Sequence, residues 1–191
     1  MMGKTALIAA PLATILAVSM IMTPSAWAFA HINDAKRDAA DPNFDVRQVG
    51  FDGHGNPYLK VSGEAGGTPS TEDCSPAYAY VFAFTNGDHY AVASHGCFSD
   101  SNEGNGADNW HAHGLTVSAD ASGHFACITS ANDDGVANIK GHRVTLEGVS
   151  ESDLDHVATV TIVGGAPTAS CPDVGIGAAL YVDVLDVGAP S

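Results

Sequence analysis

Between residues 44 and 187 the chain carries no sustained apolar pattern of period 3.6. Instead, short runs rich in Val, Ile, Tyr, Phe and Thr are broken by Gly, Asn, Asp or Ser turns about every 8–12 residues. A chain punctuated this often cannot build a helical bundle or a helix-wrapped parallel sheet. It has to bury apolar surface with short strands paired to their neighbours. Ten segments read as strands: 44–51, 57–62, 74–84, 89–95, 111–118, 124–130, 136–139, 143–149, 156–163 and 179–187. Residues 31–43 read as a loose or briefly helical lead-in, and residues 152–154 as a single helical turn. With 45% apolar residues the chain has material for a core. The expected fold is all-β: an antiparallel β-sandwich, immunoglobulin- or cupredoxin-like, or a Greek-key barrel, held by two disulfides.

The first thirty residues read differently. Lys4 is the sole charge ahead of an apolar run from Thr5 to Met22, and two overlapping A-x-A sites follow, Ala26-Trp27-Ala28 and Ala28-Phe29-Ala30. A basic start, an apolar centre and an A-x-A site describe a secretory signal peptide over residues 1–30, with residues 31–191 as one exported domain. The expected location is secreted or extracytoplasmic, in a periplasm or at a cell surface. Removing the leader takes Lys4 and no acid, moving the net charge from −15 to −16. It also removes all four Met, and with them an axial Met for blue copper or a Met-ligated haem. So negative a charge repels phosphate backbones and anionic lipid, which argues against nucleic-acid or membrane-surface partners.

Four cysteines in an exported chain read as two disulfides. Segments 74–84 and 89–95 flank Thr85-Asn86-Gly87-Asp88, and Asn-Gly is the strongest signal for a two-residue hairpin turn. That turn pairs Phe84 with His89 and Pro76 with Cys97, one diagonal step from Cys74. A Cys74–Cys97 clasp is therefore expected, with Cys127 and Cys171 paired by elimination. In this register His89, Ala91, Ala93 and His95 share a face with Tyr78, Tyr80, Phe82 and Phe84.

The chemistry points to Trp110-His111-Ala112-His113-Gly114. Side chains at i and i+2 of a strand project from one face, so His111 and His113 can reach a single metal ion. A third ligand from a neighbouring strand completes a zinc or copper centre. His89 and His95 lie about 20 Å apart along one strand, so only one of them can join the pair. His95, nearer in sequence and at the same loop end, is the expected third ligand. A hairpin turning at residues 120–123 carries His124 away from His111 and brings Asn132, Asp133 and Asp134 towards it. Asp133 or Asp134 then becomes a candidate ligand or a hydrogen-bond acceptor behind one. His54, His142 and His156 sit in or beside turns and read as solvated. A cut after Ala30 makes His31 the N-terminus, whose amine and ring nitrogen offer a lesser alternative site for copper(II); a cut after Ala28 removes that option.

Residues 100–109 are oxygen-rich, but Gly104 falls where a calcium-loop ligand is required, so a solvated acidic loop is expected and calcium is the lesser alternative. The string 110–114 is similar to the His-x-His strands of α-type carbonic anhydrases and of copper/zinc superoxide dismutases. The similarity spans five of 191 residues. Cys97 precedes the His pair here, where a dismutase pattern would place its loop Cys after it, so no family is assigned.

The reading is an exported protein binding one divalent copper or zinc ion through His111, His113 and His95. If the protein is catalytic, an open fourth position would hold water, activated towards a pKa of ~7 on zinc for hydration or hydrolysis, while copper would imply redox chemistry or metal carriage. The alternative is a non-catalytic immunoglobulin-like surface or extracellular binding module with incidental histidines. No protein partner is indicated by the sequence.

Overall fold

A computed structural model describes residues 38–68, 76–95, 109–119, 125–149 and 153–188. These form ten strands and, among the described residues, no helix. The strands are β1 (Val46–Phe51), β2 (Pro57–Val61), β3 (Ala77–Phe84), β4 (His89–Ser94), β5 (Trp110–Ala119), β6 (Phe125–Asn132), β7 (Val136–Lys140), β8 (Arg143–Glu147), β9 (Leu154–Gly165) and β10 (Ala179–Gly188). Each falls on one of the ten segments expected from turn chemistry. No helix among the described residues is long and apolar enough to cross a membrane. The expected helical turn at 152–154 is not formed as such: Leu154 opens β9, and residue 152 lies outside the described residues.

All described strand pairs are antiparallel, so the expected class holds. The two layers are unequal. β1, β2, β8 and β7 make a four-stranded sheet, while β10, β6, β5, β4, β3 and β9 close into a six-stranded barrel. The main core lies between them, where Tyr80, Phe82, Phe84 and Val92 of the barrel wall meet Val46, Val49, Leu59, Val144 and Leu146 of the sheet. Side chains of the opposite parity form a second cluster: Ala77, Ala79, Val81, Ala83, Ala91, Ala93, Phe125, Ile128, Ala158, Val160 and Ile162. The abundance of Ala has a geometric cause. Eight strands enclose just enough room for ordinary side chains, so a ring of six demands smaller ones.

This division corrects the expected β3–β4 register. The strands pair Tyr78 with Ser94, Tyr80 with Val92 and Ala83 with His89, one residue away from the two-residue-turn alignment. The connection is a three-residue loop: the Gly87 N–H donates to the Phe84 carbonyl, the Phe84 N–H donates to the Asp88 carbonyl, and Gly87 takes a φ of 91°. That is a type I turn closed by a left-handed glycine, the next commonest hairpin after the two-residue form. A one-residue slip exchanges the faces of a strand. His89, Ala91 and Ala93 therefore share their face with Ala77, Ala79, Val81 and Ala83, and not with Tyr78, Tyr80, Phe82 and Phe84. Burial decides it, because Tyr80 and Phe82 are fully enclosed against the four-stranded sheet, each contributing about 1.5–3 kcal/mol of apolar transfer.

One disulfide is present among the described residues, Cys127–Cys171. The expected clasp between Cys74 and Cys97 lies outside them, so the two-disulfide expectation is met for one bridge.

Tyr80 ties the loops to the barrel. Its hydroxyl accepts the Gly66 N–H at 2.8 Å and donates to the Asn43 carbonyl at 3.1 Å. Burial pushes its phenol pKa upward, so it stays a neutral donor. Gly66 has a φ of 73°, and a Cβ there would lie 3.0 Å from the indole nitrogen of Trp110, which donates to the Gly66 carbonyl. The start of β5 is thereby anchored one residue before His111. Tyr80→Phe, which keeps the ring and strands both loop partners, is expected to cost about 1–3 kcal/mol in urea unfolding. A cost under about 0.5 kcal/mol would mean that water replaces the hydroxyl.

Candidate metal centre

β4 and β5 pair Ala93 with His111 and Ala91 with His113. Alternation then carries both imidazoles to the face of Ala91 and Ala93, and carries His95, one residue past the end of β4, to that same face. The three histidines come together. The Nε2 of His95 lies 3.0 Å from that of His111 and 3.2 Å from that of His113. All three residues are buried, at 8%, 8% and 7% exposure for His95, His111 and His113, and their ligand atoms lie within 4.8 Å of one another.

The proton positions follow from the partners. His111 Nδ1 lies 3.0 Å from the Asn109 carbonyl and His113 Nδ1 3.3 Å from the Asn132 carbonyl. A carbonyl can only accept, so each Nδ1 carries the N–H, and in the neutral ring each Nε2 then presents a lone pair. Two lone pairs thus converge on the Nε2 of His95. A divalent cation placed between them could accept all three nitrogens at once. With zinc–nitrogen bonds of 2.0–2.1 Å, a tetrahedron has nitrogen–nitrogen edges of about 3.3 Å. The separations of 3.0 and 3.2 Å need to open only slightly to reach that. The backbone carbonyls behind His111 and His113 supply the outer support that ordinarily orients metal-binding imidazoles.

Of the two acids expected nearby, Asp133 approaches the site, with Oδ1 4.0 Å from His113 Nδ1. It stands behind His113 and not His111, because β5 and β6 pair Gly114 with Asn132 and the chain then turns past His113. Asp134 instead accepts the Asn132 side-chain amide. His54 is exposed in the β1–β2 turn, His142 contacts the Gly63 carbonyl, and His156 pairs with Asp155. None belongs to the group of three. His31, His124 and residues 100–108 of the acidic loop lie outside the described residues.

His89 occupies the same strand face as Ala91 but six residues from His95, packed edge-on against Phe125. Burial holds its pKa below the usual imidazole range, with the nearby His156 adding to the effect. Its folded pKa lies below the unfolded value, so the unfolded state binds the proton more readily. The contribution to stability is complete above a pH of about 6.5 and declines as pH falls through the folded pKa. His89→Gln is expected to flatten the fall in unfolding free energy between about pH 7 and pH 5. An unchanged slope would assign the acid sensitivity elsewhere.

Sequence reasoning missed one cluster. Carboxylate oxygens of Asp38, Asp45 and Asp186 lie within 4.8 Å of one another, with Asp45 and Asp186 buried. Asp186 accepts the Val46 N–H at 2.6 Å, Ser62 donates to Asp45, and Arg47 lies 3.9 Å from Asp45. The group latches β1 to β10. No local signal could have revealed it, since Val46 and Asp186 are 140 residues apart in sequence.

Comparison with protein-family models, curated proteins and solved structures finds no match to this chain.

Proposed function

We propose that this protein binds one divalent transition-metal ion, zinc or copper, through the Nε2 atoms of His95, His111 and His113, with a fourth coordination position left open. The convergence of three imidazole nitrogens, His95 Nε2 lying 3.0 and 3.2 Å from the other two and all three within 4.8 Å, with two of them forced into the lone-pair form by carbonyls behind them, carries this reading. Neutral nitrogen donors suit zinc and copper(II) and do not suit calcium. No thiolate or thioether joins the group among the described residues, which favours copper(II) over copper(I). When bound, zinc would supply a water acidified towards ~7 and copper a redox centre. His111 and His113 hold their rings through Asn109 and Asn132, and Asp133 adds a negative charge behind His113.

Export is part of the proposal. It is supported by the leader-like residues 1–30 and by the Cys127–Cys171 bridge, a bond that persists in oxidising compartments.

The test is elemental analysis of untagged protein beside a His111→Ala/His113→Ala variant. Near-stoichiometric zinc or copper in the wild type, lost in the variant, is the expected result, and the element found names the centre. Absence of metal from both after reconstitution would overturn it.

A further inference from the structure

The barrel is not filled at the histidine end. A cavity of about 180 Å3 opens there, walled by His95 and His113 on one side and by Ala77, Ala91, Ala93, Leu115, Ile128, Ile162 and Leu180 on the others. Ala131, Asp133, Val174 and Ile176 complete its lining. The lip at 173–177 is a built feature: the Asp173 carboxylate accepts N–H groups from Gly175, Ile176 and Gly177 at 2.8–3.1 Å. For scale, an apolar cavity of about 150 Å3 accepts benzene.

Resting on the metal reading above, we infer that this cavity is the binding site for a small monoanion with an apolar body of about six or seven carbons, its anionic head on the open metal position and its body inside the barrel. Three features select that chemistry. The small alanine side chains leave a volume of the order that one six-membered ring fills. Among the described residues the walls offer apolar carbon and, apart from the two histidines and Asp133, no polar side chain, so a ligand with several hydroxyl or amide groups would lose hydrogen bonds to water that these walls do not replace. Three neutral imidazoles leave both positive charges of a divalent ion uncompensated in a low-dielectric setting, and Asp133 offsets one of them from behind His113. A single negative charge on the ligand offsets the other.

Benzoate is the probe, with acetate supplying the head without the body and benzyl alcohol the body without the charge. Isothermal titration calorimetry on zinc- or copper-loaded protein, with metal content measured on the same samples, is expected to show benzoate binding at least about tenfold tighter than either. Binding should vanish in metal-free protein. Ala131→Trp plugs the exposed mouth and Ile176→Glu places a negative charge on the exposed lip, so either variant should retain metal and lose benzoate affinity. If the loaded protein prefers benzoate over neither control, or if both variants bind benzoate unchanged, the cavity inference fails while the metal reading stands. If the protein takes up no metal, both fall together. A shift of the visible spectrum of cobalt-substituted protein on adding benzoate, absent with benzyl alcohol, would place the anion on the metal.

Discussion

If the three histidines hold an ion as proposed, stripping it with a chelator is expected to lower the melting temperature by about 5–11 °C. Two steps lead to that figure. A ligand held only by the folded state at a hundredfold excess over its dissociation constant stabilises by about 2.7 kcal/mol. In a domain of this size each kcal/mol moves the melting point by about 2–4 °C. The effect should be large for a local reason. The ion would join three buried imidazoles whose ligand atoms already lie within 4.8 Å of one another. His113→Ala should melt below the loaded wild type and should not respond to added zinc or copper. Differential scanning calorimetry with and without the ion decides it, and a wild type whose melting point ignores the ion would remove the basis of the metal reading.

Deleting the Cys127–Cys171 bridge in a Cys127→Ala/Cys171→Ala variant is expected to cost about 4 kcal/mol. The chain-entropy relation yields this from the sequence separation of 44 residues. The position of the bridge makes the loss matter for the barrel. Among the described residues β10 meets β9 along its whole length but pairs with β6 only at Leu180–Ile128 and Tyr181–Cys127. The disulfide therefore sits on the shortest seam of the barrel, and Cys171 leads into the lip that carries Val174 and Ile176. Urea unfolding should report the loss, and amide exchange at Ile128, Leu180 and Tyr181 should quicken ahead of β3 and β9. A variant within about 1 kcal/mol of wild type would show that hydrogen bonds alone hold the seam closed.

The strands were legible because the signals that make them are local. Asp52-Gly53-His54-Gly55-Asn56, Asn86-Gly87 and Gly141-His142 interrupt the chain wherever it turns, and β-branched and aromatic residues fill the segments between. The three-histidine cluster was legible for a related reason. Alternation along an extended chain puts His111 with His113, and separately puts His95 with Ala93, whatever the rest of the fold does. The β3–β4 register was not legible. Thr85-Asn86-Gly87-Asp88 supports a two-residue turn at Asn86-Gly87 or a three-residue loop with Gly87 left-handed. The choice between them rests on where Tyr80 and Phe82 find apolar partners, which are Val46, Val49, Leu59 and Leu146, far away in sequence. The Cys127–Cys171 pairing agrees with the structure although the hairpin alignment behind it was one residue out.

The sequence by itself therefore determined the all-β class, the ten strand segments and the side chains that share a face within each strand. These follow from turn chemistry and the two-residue repeat of extended backbone. Only the tertiary structure decided that six of the strands close into a barrel, that β5 lies beside β4 so that His95 meets His111 and His113, and that an alanine-lined cavity opens at their side. Those outcomes depend on which apolar face packs against which, and that competition is settled by burial across the whole chain, with no trace in any single segment.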